Sequence, residues 1–296
     1  MKTTQTILDQ ILVDVRKEVA EAKSQRPVAE LSRMMADAPA VRPLSQALRT
    51  SFGLIAEIKE RSPSHGPMRP ANVQAAASAY EQSQLVRGIS VLTNASHFGM
   101  SMDRLRQVKL ATSKPVLRKD FIFDEYQVLE ARAFGADAIL LMANLLEPEE
   151  MRQLYATARG LQMEALFECH NREQIEQVPS EALIYGINSR TFDARKNSFG
   201  VGRYAISALL GRLGSGKDLT IDESRFELGQ YLPAAAIKVA ESGVHPQTFA
   251  GLRDLGYQAA LVGTSLLTAA HGIEAELELF ERALASAVPA GASMAS

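Results

Sequence analysis

The sequence predicts a (β/α)8 barrel, the TIM-barrel architecture, with a helical N-terminal extension and an enlarged segment between strands six and seven. Three observations predict it. Eight short apolar runs of strand length follow one another between residues 54 and 262. Amphipathic stretches separate most of them, and buried strands alternating with helices form a parallel sheet, which eight strands close into a barrel. Most runs end in polar or glycine-bearing clusters, and a barrel builds its active site on the rim at the carboxyl ends of its strands. An open doubly wound sheet is the alternative that the same alternation permits.

Taken in order, residues 5–24 place Ile7, Leu8, Ile11, Leu12, Val15 and Val19 at helical spacing, and 28–35 form a second helical stretch. Residues 1–47 are too few for a core of their own, so they form an extension packed on the barrel within one domain spanning 1–296. The expected strands are 54–58, 88–92, 115–118, 138–142, 163–167, 184–187, 237–240 and 259–262, with helices over 103–111, 126–134, 147–159 and 245–255. Gly135 and Gly256 stand where a helix ends and a strand begins, the position of a glycine C-cap. About fifty residues, 188–236, separate strands six and seven, more than one loop and helix need. The tail 287–296 is rich in Ala, Ser, Gly and Pro and is expected to fray.

Composition narrows the function. With 46% hydrophobic and 22% charged residues, a net charge of −2 and a pI near 6.3, the chain has no bulk charge that would draw it to nucleic acid or an anionic membrane. Cys169 is its one cysteine, which excludes an intrachain disulfide and a cysteine-rich zinc site. The histidines at 65, 97, 170, 245 and 271 have no metal-ligand spacing, so no metal or cofactor is expected. The N-terminal residues lack a signal-peptide apolar region, and no apolar run approaches about 18 residues, so a cytoplasmic protein is expected.

The strand-end residues carry the chemistry. Glu57 and Lys59 lie two apart on strand one, so both point into the barrel mouth. Lys119 ends strand three and Glu168 strand five, and the two converge from different sides. Asn188 and Arg190 share a face at the end of strand six, and Glu241 with Ser242 closes the site from strand seven. Arg190 either clamps a carboxylate such as Glu57 or touches substrate. Gly243 after strand seven, and Gly263 with Thr264 after strand eight, stand where barrels bind phosphate through backbone N–H groups, and Ser62 adds a hydroxyl. Phe98 and Phe121 follow strands two and three, where they either wall an aromatic ring or pack in the core.

Two motifs are set aside. Residues 211–217 fit G-x-x-x-x-G-K, but Asp218 stands where a P-loop needs Ser or Thr, and no strand feeds the loop. Cys169 and His170 are adjacent on a strand, hence on opposite faces, and are no nucleophile–base pair.

In combination, Ala-Glu-Ile-Lys-x-x-Ser-Pro-Ser (56–64), Ser-Val-Leu-Thr (90–93), Pro-Val-Leu-Arg-Lys-Asp-Phe (115–121), Gly-Ala-Asp-Ala-Ile-Leu-Leu (135–141), Gly-Ile-Asn-x-Arg (186–190), Ala-Glu-Ser-Gly (240–243) and Leu-Val-Gly (261–263) resemble the indole-3-glycerol-phosphate synthase family. The resemblance implies ring closure, decarboxylation and dehydration of a carboxyphenylamino-deoxyribulose phosphate to an indole, in tryptophan biosynthesis. It implies Lys119 as general acid, Glu168 as base, and Lys59 as partner of the substrate carboxylate or second acid. The partner it implies is this phosphorylated small molecule, for a monomer or weak homo-oligomer. Asn94, Met100 and Ser189 depart from the family's usual pattern without removing a candidate acid or base. The 188–236 segment leaves two other readings open: a diverged paralogue acting on a different amino-sugar phosphate, and a barrel that binds a phosphorylated ligand without catalysis.

Overall fold

The computed structural model describes residues 7–193, 198–201 and 226–286. Eight parallel strands close into a barrel in chain order: β1 (Gly53–Ile58), β2 (Val86–Leu92), β3 (Val116–Lys119), β4 (Ala138–Met142), β5 (Glu164–Cys169), β6 (Ile184–Asn188), β7 (Ile237–Glu241) and β8 (Ala259–Val262). β8 returns to pair with β1, so the barrel has no open edge and the doubly wound alternative is excluded. β1 is buried along its whole length, as are β4, β6 and β8, because one face fills the interior and the other lies under the helices.

Most strands begin or end a residue or two from their expected limits, and the differences matter at the rim. Lys119, Glu168, Asn188 and Glu241 all lie within the last residues of their strands. The hydrogen-bonded ladder continues past the last apolar residue; Met142, for instance, still pairs with Glu168. Fixed backbone therefore carries these side chains, which gives a site tighter placement than a loop does.

The N-terminal extension folds as three helices, α1 (Ile7–Gln25), α2 (Val28–Ala36) and α3 (Leu44–Thr50), the last of which the sequence pattern did not announce. Ile11, Val15 and Val19 of α1, Leu31 of α2 and Leu44 and Leu48 of α3 are buried in the common core. Polar anchors fix the α2–α3 connection and the start of α3 to the amino-terminal end of the barrel. Asp137 accepts hydrogen bonds from the Lys109 ammonium (2.5 Å) and from the backbone N–H groups of Arg42 and Val116 (2.7 Å each), with both side chains of the ion pair buried. Glu164, at the start of β5, accepts from the backbone N–H of Ser45 and caps α3. Gly135 and Gly256 have φ of +92° and +80°, the left-handed C-caps expected of them.

Between β6 and β7, Arg190–Asp193 and Ser198–Val201 pair as an antiparallel hairpin, and a short 3-10 turn, Glu227–Tyr231, leads back to the barrel. The Tyr257 hydroxyl donates to the Phe226 carbonyl at 2.8 Å and ties this return to the barrel. Most of the enlarged segment, including the 211–217 motif, and the 287–296 tail lie outside the described residues. No described helix is long and apolar enough to cross a membrane.

Candidate active site

A cavity of about 380 Å³ opens at the carboxyl-terminal rim of the barrel, and every residue expected at the site lines it. Glu57, Lys59, Lys119, Glu168, Asn188 and Glu241 surround its centre, Phe98 and Phe121 form an apolar wall, and Ser62, Arg190, Ser242, Gly243, Gly263 and Thr264 close the remaining sides.

Two clusters of charged side chains occupy the centre. The Lys59 ammonium donates to Glu57 at 2.6 Å, both side chains being buried. Lys119 reaches between two carboxylates, 3.7 Å from Glu168 and 4.0 Å from Glu241. Burial disfavours charge on each of these groups, and their mutual placement decides which ones keep it. Burial alone would raise Glu57, but Lys59, Lys119 and Arg190 outweigh it and hold the carboxylate below its ordinary range. Burial would likewise lower Lys119, yet Glu168, Glu241 and Glu57 keep its ammonium above the ordinary lysine value.

Glu168 and Glu241 divide in the manner of paired carboxyl groups. Burial and then the charge of Glu168 push Glu241 well above the carboxylate range. Glu168 also feels burial, but Lys119, His170 and the side chains of Glu241 and Asn188 hold it below that range. The centre thus brings together an ammonium and a carboxylate whose charged forms are favoured and a second carboxyl whose charged form is disfavoured.

Glycine makes the room for these carboxyl groups. A Cβ on Gly186, midway along β6, would fall on the Glu241 carboxylate and lie 3.0 Å from its Cδ. A Cβ on Gly263 would overlap the Glu57 carboxylate and lie 2.9 Å from Glu57 Cβ. Gly263 therefore has a steric duty besides any contact with a ligand. Gly186 escaped sequence reasoning, although a glycine inside a strand is a recognised sign of close approach.

Two strand placements are corrected. Lys59 lies one residue beyond β1, which ends at Ile58, although its ammonium still reaches Glu57. Arg190 does not share β6 with Asn188: the strand ends at Asn188, and Arg190 opens the hairpin beyond it. Asn188 Oδ1 accepts the Arg190 backbone N–H at 2.9 Å, a local side-chain bond that competes with the ladder and turns the chain. The Arg190 guanidinium donates to Ser64 Oγ at 3.2 Å and so joins the hairpin to the loop after β1. Burial lowers its pKa against the attraction of Glu57 and Glu168.

After β7 the chain turns through two left-handed residues, Ser242 and Gly243, each with φ of +67°. The conformation is costly for a serine, and Ser189 Oγ fixes it by donating to the Ser242 carbonyl at 3.0 Å. A short helix, Thr264–Thr268, begins directly after Gly263.

Other lining residues were not anticipated. Leu140 and Met142 floor the cavity, and the period-two alternation of β4 would have pointed to them. Asp120 accepts from Thr93 Oγ1 at 2.6 Å and from Arg118 at 3.1 Å, a buried brace behind the β3 end that carries Lys119. His170 lies 3.6 Å from Glu168, at the edge of the same charge cluster. Cys169 is wholly buried, and burial drives its thiol pKa up, in keeping with a packed thiol.

Comparison with known proteins shows the family of the chain. The family model for indole-3-glycerol phosphate synthase matches residues 8–200. Indole-3-glycerol phosphate synthase 2 of Streptomyces coelicolor is 37% identical over 270 residues, covering 89% of this chain and 94% of that relative. The indole-3-glycerol phosphate synthase of Verminephrobacter eiseniae is 37% identical over 277 residues (89% and 95%). Among solved structures, 3-hexulose-6-phosphate synthase from Salmonella typhimurium superposes with a TM-score of 0.55 at 13% identity, over 79% of this chain and 99% of that one, a likeness of fold alone.

Proposed function

The chain belongs to the indole-3-glycerol phosphate synthase family, and from that premise we propose that it is a carbon–carbon lyase converting 1-(2-carboxyphenylamino)-1-deoxyribulose 5-phosphate to indole-3-glycerol phosphate in tryptophan biosynthesis. The observation that carries the reading is the placement of Lys119 between the Glu168 and Glu241 carboxyl groups, 3.7 and 4.0 Å away, at the centre of a cavity with one apolar wall.

In the first step the aromatic carbon that bears the carboxylate bonds to the ketone carbon, and Lys119 gives its proton to the ketone oxygen. Carbon dioxide then leaves, and the electron pair of the broken bond restores the aromatic ring. In the last step the new hydroxyl departs as water with a proton from an acid, while a base takes a proton from the adjacent carbon. Glu168 is the base. Lys59 is the second cation, serving the substrate carboxylate or the departing hydroxyl. Glu57 holds Lys59 in place, and Glu241 sets the field around Lys119 and Glu168. Two protons are given and one is taken, so the site reloads one proton from solvent in each turnover. General acid and base groups placed in this way contribute about 10²–10⁴-fold each.

Phe98 and Phe121 wall the aromatic ring. Asn188 and Ser242 face the sugar hydroxyls, and Arg190 closes the cavity over the substrate. Ser62 and the backbone N–H groups of Gly243, Gly263 and Thr264 hold the phosphate, at the strand-seven and strand-eight position common in barrels. The test incubates the protein with this substrate and measures carbon dioxide against indole. The reading requires one of each per substrate consumed, and consumption without indole would point to a different amino-sugar phosphate as the true substrate.

A further inference from the structure

The two aromatic walls of the cavity sit on different loops, and α1 holds both. Phe98 ends the short helix Ala95–Phe98 after β2, and Phe121 follows β3. Their ring centroids are 6.5 Å apart and the planes tilt by 32°.

On α1, Asp14 and Glu18 lie one turn apart and so project from the same face. Glu18 accepts hydrogen bonds from the Asn94 side-chain amide (2.8 Å), the Ser96 backbone N–H (3.0 Å) and the Ser96 hydroxyl. Asn94 in turn caps the Phe98 helix, accepting from the His97 N–H at 2.8 Å. Asp14 meets the His97 ring at 3.2 Å. Also on α1, the Arg16 guanidinium stacks 4.6 Å from the Phe123 ring, and Lys23 pairs with Asp124 at 2.6 Å. The Tyr126 hydroxyl donates to the carbonyls of Ala22 and Arg26. One helix outside the barrel thus grips both loops that carry the aromatic walls.

We infer that Glu18 is a positioning residue that sets the Phe98 wall against Phe121 and thereby selects for a planar aryl group in the substrate. A four-residue helix has little stability of its own, so its orientation depends on its cap and on external contacts. Glu18 makes three such bonds at its start, one of them to the capping side chain. It has no place among the cavity-lining residues, so its effect passes through Phe98.

The inference rests on the synthase reading, and the test separates the two. Binding of the aryl product, indole-3-glycerol phosphate, and of glycerol 3-phosphate, which lacks the ring, is measured by calorimetry for wild type, Glu18→Ala and Glu18→Gln, together with turnover and thermal midpoint. The expected result for Glu18→Ala is about fivefold weaker aryl binding and a KM raised to match, the size of one ordinary hydrogen bond. Glycerol 3-phosphate binding and kcat should stay within about twofold. Glu18→Gln keeps one acceptor oxygen and should recover most of the aryl affinity. Equal losses for both ligands, or aryl binding unchanged in Glu18→Ala, would overturn the inference while leaving the synthase reading intact. A wild-type protein that neither binds the aryl product nor turns over the substrate would overturn the synthase reading itself.

Discussion

Glu241→Gln tests the electrostatics of the centre without relying on catalysis. Glu241 is buried, and both burial and the neighbouring Glu168 charge favour its protonated form. In the unfolded chain it ionises near the ordinary glutamate value of about 4.3. Above that pH the folded state therefore holds one more proton at this site than the unfolded state. Stability consequently falls as pH rises, by about 1.4 kcal/mol per pH unit, until the folded pKa is reached. Glutamine cannot ionise and removes this dependence while keeping the shape of the side chain. A chain of 296 residues unfolds with an entropy of about 0.6 kcal/mol per kelvin. The thermal midpoint of Glu241→Gln should therefore gain on wild type by about 2 °C per pH unit from pH 5 upward, levelling off at the folded pKa. Calorimetric scans of both proteins between pH 5 and pH 8 read this difference directly. Parallel midpoint–pH curves would show that Glu241 ionises freely and would refute the proton assignment.

Three further outcomes follow from the packing. Gly186→Ala drives a methyl group into the Glu241 carboxylate, so it should cost about 1–3 kcal/mol of stability and lower kcat about hundredfold through displacement of the carboxyl groups; wild-type kcat at a normal midpoint would contradict the close approach. Asp137→Ala leaves Lys109 buried without its carboxylate and removes the acceptor of two backbone N–H groups. It should cost about 3–5 kcal/mol, or about 5–8 °C in midpoint, with kcat nearly unchanged at temperatures where the variant is folded, because the site lies at the opposite end of the barrel. Cys169 should resist a thiol reagent in the native protein and react with one equivalent in denaturant, since burial both hides the thiol and disfavours its thiolate; rapid native labelling would contradict this.

Much of the site was legible because barrel topology converts strand order into position. The alternation of buried strands and helices implied eight parallel strands, and parallel strands place all their carboxyl ends on one rim. From that alone Glu57, Lys119, Glu168 and Glu241 had to converge, and the cavity contains them all. The fate of each charge was less legible, because protonation depends on distances across the barrel that no local pattern encodes. Glu168 and Glu241 read alike in sequence, yet the surroundings favour the charged form of one and disfavour that of the other. Arg190 was misplaced onto β6 because spacing cannot show that Asn188 bends the chain by bonding its own neighbour. The anchoring of α1 was invisible for a similar reason: Glu18 and Asn94 are 76 residues apart, and only the folded barrel brings them together. Gly186, like Leu140 and Met142, was a signal within reach, a glycine among apolar residues in a buried strand.

The central claim is that this barrel forms an indole with Lys119 as the acid. The chain contains no tryptophan, so indole fluorescence from the product rises from a background of tyrosine alone. The decisive measurement follows that fluorescence after mixing wild type, and separately Lys119→Ala, with 1-(2-carboxyphenylamino)-1-deoxyribulose 5-phosphate. The account predicts turnover by wild type and a loss of at least about 10²-fold in kcat for the variant, with saturable substrate binding retained. Wild type that binds the substrate without forming indole, or a variant as fast as wild type, would contradict it.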